Sequence, residues 1–292
     1  MAKKNNSGAG LTLREQMNLA PGYLVLVTWV TFTFIMLGWV IGASLSTTGD
    51  IFRGTIFDFT TGLHLENYGR AWVGANVSVY FANSLVYSII SCTLLILLCA
   101  PFAYVLSRFD FPCSGMLKTG LAAASGVPII MVIIPLYMII ARAGLLKDEM
   151  SNRIVLITLF VGTKIPYTTI FLQPYFKSVS RAYEEAANID GCHPIRAFWQ
   201  IVFPMAQGGL ITVTIFNFIN IWNEYFLSLL FVNSESLRPV ALGLFSMING
   251  MQYSGDWSGL FASVMIVFAP TFFIYVFLSK YIIGGLTGGV KG

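Results

Sequence analysis

The chain has 292 residues, of which 56% are hydrophobic and only 10% charged, whereas a soluble domain carries roughly 25% charged residues. A mean hydropathy of +0.75 marks a polytopic membrane protein, and a net charge of +4 is too modest to indicate nucleic acid. Four cysteines are too few and too scattered for a disulfide framework.

In chain order, residues 1–21 read as a polar tail with at most a weak amphipathic signal over Leu11–Ala20. Residues 22–44 are the first apolar run. About 20 such residues span a bilayer core, against roughly 7–15 in a secretory signal, so an uncleaved span is expected. A mixed-charge outer loop follows to residue 78, with His64 as a solvated side chain. Together 22–78 form one unit and 79–283 the main transmembrane domain, in five helices. The second span is expected at 79–106, with Asn83 and Ser84 placed to cap it or to contact another helix. Cys92 and Cys99 lie within this run, Cys113 and Cys192 in loops, and all four read as small apolar filler. Arg108 and Lys118 flank the next loop and place it inside.

The third span, 119–141, contains Pro128 and Pro135, and the loop RAGLLKDEMSNR follows outside. The fourth, 154–175, contains Lys164, Pro166 and Pro174. A polar inner loop over 181–204 separates it from the fifth span, 208–232. Residues 233–257 read as an outer loop, 258–283 as the sixth span and 284–292 as an inner tail. The architecture is therefore all-α, with six transmembrane helices. This topology puts ten Lys and Arg inside, six outside and Lys164 within a span, which supports cytoplasmic termini.

Two stretches carry the functional signal. The inner loop EEAANIDGCHPIRAFWQIVFP reads as two short helices around a joint. Ala182, Ala186 and Ile189 share one face, with Tyr183 and Ala187 beside them. Glu184 and Glu185 sit in the first turn, where the helix dipole favours acid. Asp190-Gly191 ends the first helix, His193 is placed to cap, and Pro194 starts the second. Ile195, Phe198, Trp199 and Val202 form its stripe, and Pro204 is expected to stop it. The second stretch is FNFINIWNEYF in the fifth span. Asn217, Asn220, Asn223 and Glu224 fall near one helical face, interleaved with Phe216, Phe218, Trp222 and Tyr225. Polar groups facing lipid are costly, so this face looks into protein or a water-filled cavity. Three uses fit it: contact with a polyhydroxylated ligand, interhelical hydrogen bonding, or ion coupling by Glu224, with Lys164 as a candidate ion-pair partner. No G-x-x-x-x-G-K-[ST] loop, H-E-x-x-H or Cys/His metal cluster occurs, and the sequence offers no obvious nucleophile and base for an intramembrane enzyme.

The inner loop resembles the cytoplasmic coupling loop of ABC importer permeases. Glu185, Ala186, Ala187, Gly191, Ile201 and Pro204 match that pattern at its spacing, with Phe203 where Leu is usual. Trp222-Asn223-Glu224 and the ending GLTGGVKG look like the second permease of carbohydrate importers of the maltose and oligosaccharide type, a similarity running from about residue 80 to the end. The resemblance implies a type I permease fold in a bacterial or archaeal plasma membrane, and a transport subunit rather than an enzyme. It further implies a cytoplasmic ATPase dimer that receives the loop, a homologous second permease and an extracytoplasmic sugar-binding protein. No cofactor or metal is then expected on this chain, ATP and Mg being held by the ATPase. Glu184, Glu185, Ala186, Ala187, Asp190, Gly191 and Pro204 would carry coupling, and Asn217, Asn220, Trp222, Asn223 and Glu224 the substrate pathway. Lys164 is not a feature associated with that family. The competing expectation is an ion-coupled secondary transporter using Glu224 and Lys164, although the inverted repeats common in such folds are not seen.

Overall fold

The computed structural model describes residues 13–58 and 62–288, with side chains at all of these but 13–18, 251–254 and 282–288. Residues 1–12 and 289–292, with Lys3, Lys4 and Lys291, lie outside the described residues. The chain is helical throughout: α1 (Leu13–Ser44), α2 (Thr48–Arg53), α3 (Glu66–Gly69) running into a π turn (Arg70–Gly74), and α4 (Val77–Arg108). Next come α5 (Ser114–Gly126), α6 (Ile129–Arg142), α7 (Glu149–Ser178) and α8 (Ala182–Ile189). Then follow α9 (Pro194–Ala197), a second π turn (Phe198–Val202), α10 (Phe203–Met205) and α11 (Gln207–Trp222). The last are α12 (Phe226–Phe231), a 3-10 turn (Glu235–Leu237), α13 (Val240–Ser254) and α14 (Trp257–Gly288). The expected tail boundaries at 21/22 and 283/284 therefore both fall inside helices.

Among the described residues four helices are long and apolar enough to cross a membrane, or up to six spans if each of two bent pairs counts as one. The expected third span is not straight: α5 and α6 meet at 95°. Val127 is extended before Pro128, the conformation the proline ring favours in its predecessor, and the helix breaks there. The fifth span is also interrupted. It leaves the inner loop at 76° across Ala206 and ends at Trp222, three residues before α12. Within the stretch expected as an outer loop, α13 packs on α4 and α14. A Cβ at Gly243 would stand 2.2 Å from the Tyr80 ring, so only glycine permits that approach.

The centre of the fold is α4 against α7, with α11 completing a three-helix core. The buried face of α4 is built from small residues, including Ser84, Ser88, Ser91, Cys99 and Ala103. Small side chains let membrane helices approach closely, where dispersion and hydrogen bonds rather than hydrophobicity hold them. Tyr87, Phe160, Phe176, Leu156 and Val213 fill the seam. Asp148 caps α7 by accepting the Ser151 N–H at 2.9 Å, and that bond holds its carboxyl below the usual carboxylate range. On the far side α1 leans on α14, through Trp39 edge-on to Phe261 at 5.1 Å, and is exposed over residues 19–36.

The connection from α12 to α13 is seated on α4 and α7 by polar side chains that bond its backbone. Asn83 Nδ2 donates to the carbonyls of Ser236 (2.7 Å) and Arg238 (3.1 Å), and the Tyr87 hydroxyl donates to Leu237 O at 2.9 Å. Asn152 Nδ2 donates to Phe231 O at 2.7 Å, and Ser84 Oγ accepts the Val240 N–H at 2.9 Å. Arg153 bonds Asn83 Oδ1 at 3.1 Å and lies over the Tyr87 ring. Asn83 and Ser84 thus contact another segment rather than cap their own helix. His64 is less solvated than expected: its side chain is 22% exposed and pairs with Glu66.

Candidate functional site: a rooted knob and a polar cavity

The 181–204 loop, expected on the inner side, forms a protruding helical knob. Its joint is a Schellman turn: the Gly191 N–H bonds Asn188 O at 3.0 Å and the Cys192 N–H bonds Ala187 O at 2.9 Å. Gly191 has φ +76°, and nothing lies within 4 Å of the place a Cβ would take. The demand for glycine there is conformational, not spatial. His193 caps the second helix by accepting the Ile195 N–H at its Nδ1, 3.3 Å away, with Pro194 at the first helical position.

The knob divides into a tip and a root. At the tip, Ile189 and Ile195 are 87% and 65% exposed, beside exposed Tyr183, Glu185, Ala186, Asp190 and Gly191. The two alanines of the motif part company: Ala186 is exposed, while Ala187 is buried at the joint with the second helix. The expected stripe divides likewise, since Phe198 and Val202 are buried and Ile195 is not. At the root, Phe198 packs on Tyr104 of α4 (4.8 Å between ring centres) and Phe176 of α7 (5.8 Å), with Trp199 and Phe203 against it. The second π turn lies over this cluster. Pro204 sits exposed within α10, and the chain turns at Ala206 rather than at the proline.

Glu184 belongs to the root, not the tip. Its Oε1 lies 3.2 Å from Arg108 Nε, with the two side chains 18% and 6% exposed. Arg108 also donates to Val179 O, and Arg181 donates back to Arg108 O at 3.1 Å. The end of α4 is thereby tied to the segment entering the knob. Sequence reading counted Arg108 only as a topology charge; its partner lies 76 residues away in the chain, and no local pattern signals the pair.

A cavity of about 700 Å³ opens beside the α5–α6 bend, between the middle of α7 and α11. Ser125, Thr163, Lys164, Tyr167, Asn217 and Asn220 contribute its polar lining. Asn217, 1% exposed, donates to Thr168 Oγ1 at 2.9 Å and so ties α11 to α7. Asn220 is exposed, returns its amide to Phe216 O at 2.9 Å and accepts from Lys164 Nζ at 3.4 Å.

The expected single polar face does not survive the end of α11. Asn223 is the helix cap, exposed, with its amide on Ile219 O at 2.8 Å. Glu224 turns forward to cap α12, accepting from Leu227 N (2.6 Å), Ser228 N (3.1 Å) and Ser228 Oγ (3.0 Å). Trp222 is fully buried, donates from Nε1 to Val267 O of α14 at 3.1 Å, and stacks on Phe218. None of these three lines the cavity. Among the described residues Lys164 and Glu224 form no ion pair within 4.0 Å, so the candidate pairing is not made.

Residues 97–286 match the family described as binding-protein-dependent transport system inner membrane component. The diacetylchitobiose uptake system permease protein NgcG of Streptomyces coelicolor is 31% identical over 270 residues, covering 92% of this chain and 88% of that protein. The sulfoquinovosyl glycerol transport system permease protein SmoH of Agrobacterium fabrum is 28% identical over 255 residues, 87% of each chain. A solved bacterial ABC transporter involved in the import of the acidic polysaccharide alginate contains a chain that superposes with a TM-score of 0.80 at 19% identity, covering 94% of this chain and 99% of that one.

Proposed function

The chain belongs to the family of binding-protein-dependent transport system inner membrane components, and from that premise we propose that it is the permease half of an ATP-driven importer for a sugar or oligosaccharide. It is a multi-pass membrane protein of a transport family. The observation that carries the proposal is the knob, whose exposed apolar tip is rigidly continuous with a root in the transmembrane core.

The tip, with Glu185, Ala186, Ile189, Asp190 and Gly191, docks on a cytoplasmic ATPase dimer that holds ATP and magnesium. An exposed isoleucine pair has apolar area to bury there, each side chain worth roughly 1.5–3 kcal/mol when fully covered. Movement of the ATPases displaces the knob. Because Phe198 is wedged between α4 and α7 and Arg108 holds Glu184, the displacement passes to the helix core rather than dissipating in a loop. A homologous second permease completes the pathway, and an extracytoplasmic binding protein delivers the sugar to the outer face. Both termini are cytoplasmic. Asn220, Lys164 and Tyr167 face the passing sugar, Asn217 fixes the wall behind them, and exposed Asn223 extends the polar track outward. Amides and an aromatic face suit a ring with hydroxyls on its edge and C–H groups on its face.

The test is uptake by proteoliposomes holding this chain with its ATPase and sister permease, supplied with the binding protein and a panel of oligosaccharides. ATP-dependent accumulation insensitive to ionophores is expected. Uptake driven by a proton or sodium gradient without ATP would overturn the proposal in favour of ion coupling.

A further inference from the structure

Lys164 is the one charged side chain in the lining of the cavity. It sits mid-helix in α7, where an ammonium facing lipid would be costly, and it turns instead toward the cavity. Its protein partner there is a neutral amide oxygen, Asn220 Oδ1, at the long distance of 3.4 Å. Among the described residues no carboxylate comes within 4.0 Å of it. Both oxygens of Glu224 are engaged by the backbone and hydroxyl donors at the start of α12. An ammonium has three donors, and the amide takes one. The ammonium lines a cavity of about 700 Å³, large enough for a sugar ring.

Resting on the permease reading above, we propose that Lys164 selects cargo by charge: the sugar passed by this chain carries an anionic substituent, a carboxylate or sulfonate, which Lys164 contacts in the cavity. A neutral sugar that displaced water from the site would offer the ammonium only hydroxyl oxygens, whereas an anionic one supplies an opposite charge and a stronger charge-assisted hydrogen bond. Asn220 positions the ammonium while bonding cargo hydroxyls, and Tyr167, 43% exposed, offers an apolar ring beside the charge.

The test uses the complete transporter in nanodiscs. Cys113 and Cys192, the two cysteines not fully buried, are replaced by Gly and Ser; glycine suits position 113 because Cys113 has φ +70°. Ser125→Cys then serves as the reporter in the cavity lining. Its reaction with an anionic ethylsulfonate methanethiosulfonate is compared with that of the cationic trimethylammonium analogue. Lys164→Gln is expected to slow the anionic reagent and speed the cationic one about fivefold each, and so to lower the anionic-to-cationic rate ratio roughly 25-fold, the effect of one unit charge at close range in water. Lys164→Arg is expected to keep the ratio and serves as the control for folding. A ratio unmoved by Lys164→Gln would show the charge already neutralised, by a carboxylate of the sister permease for example, and would overturn the proposal. In a second arm, digalacturonate and a neutral galactose disaccharide are compared as protectants against an uncharged thiol reagent. Protection by digalacturonate that is lost in Lys164→Gln is expected. Equal protection by both sugars, or by the neutral one alone, would overturn anionic cargo while leaving the permease reading intact. Failure of that reading would show separately, as ATP-independent uptake.

Discussion

Single residues decide how the knob holds its shape. Gly191 is held at φ +76° with open space around it, so a substitution is judged by its cost in the left-handed region, about 1–2 kcal/mol for most residues and less for Asn. Gly191→Asn should therefore retain more ATPase co-purification and more uptake than Gly191→Val, although both side chains fit. Equal loss would mean that the tip needs its flat surface rather than its turn. At the root, Arg108→Met or Glu184→Leu alone leaves a nearly buried charge without its partner. Each should destabilise by roughly 3–5 kcal/mol, read as loss of thermal stability in detergent, and the double change should recover part of it. Simple additivity would show that the two charges do not cooperate. The sequence made the joint legible, because Asp190-Gly191 followed by Pro194 has local stereochemistry. It did not reveal which glutamate faces inward. Glu184 and Glu185 are adjacent in the same turn, and only the distant arginine separates them.

Helix-length features were legible where they depend on composition and illegible where a side chain intervenes. The long runs of α4, α7 and α14 are apolar for more than a bilayer's thickness, which the sequence states outright. The break at 127–128 is not visible in hydropathy, since Val127 continues the apolar run, and at 223–225 the polar Asn223 and Glu224 read equally well as one more turn of the polar face of a continuous helix. Pro128 marks the first, but Pro135, Pro166 and Pro174 lie inside helices that continue past them. The second break exists because Glu224 captures the first donors of α12, a choice that helical periodicity cannot anticipate. Glu224→Gln keeps one acceptor oxygen and should leave uptake largely intact. Glu224→Ala removes the cap and should cost about 0.5–2 kcal/mol, seen in thermal melts. Loss of uptake in the Gln variant at unchanged stability would instead mark Glu224 as an ion site. The helix α13 went unread because its apolar residues are interrupted by Gly243, Ser246 and Gly250, which look like a loop until the ring of Tyr80 is packed against the first of them.

For the whole molecule, three helices form a tight core, and in the proposed reading function is carried by the knob at one end and the cavity along one side. Asn220→Ala removes a cavity-facing amide while favouring the helix. Uptake should fall with assembly and ATP hydrolysis preserved. The matching control is Leu229→Ala, 41% exposed, rather than the adjacent Leu227, which at 4% exposure would damage packing instead. Normal uptake by the Asn220 variant would remove this wall from the pathway.

The seat of the α12–α13 connection has one more consequence. Asn83, Tyr87 and Asn152 grip carbonyl oxygens of Phe231, Ser236, Leu237 and Arg238, which every amino acid supplies alike. The seat thus constrains the path of the outer segment but not the identity of its outward side chains. Such a surface is free to drift, or to be rewritten by grafting, so that under the proposed reading the same transmembrane machine can be matched to a different delivery protein without being refolded.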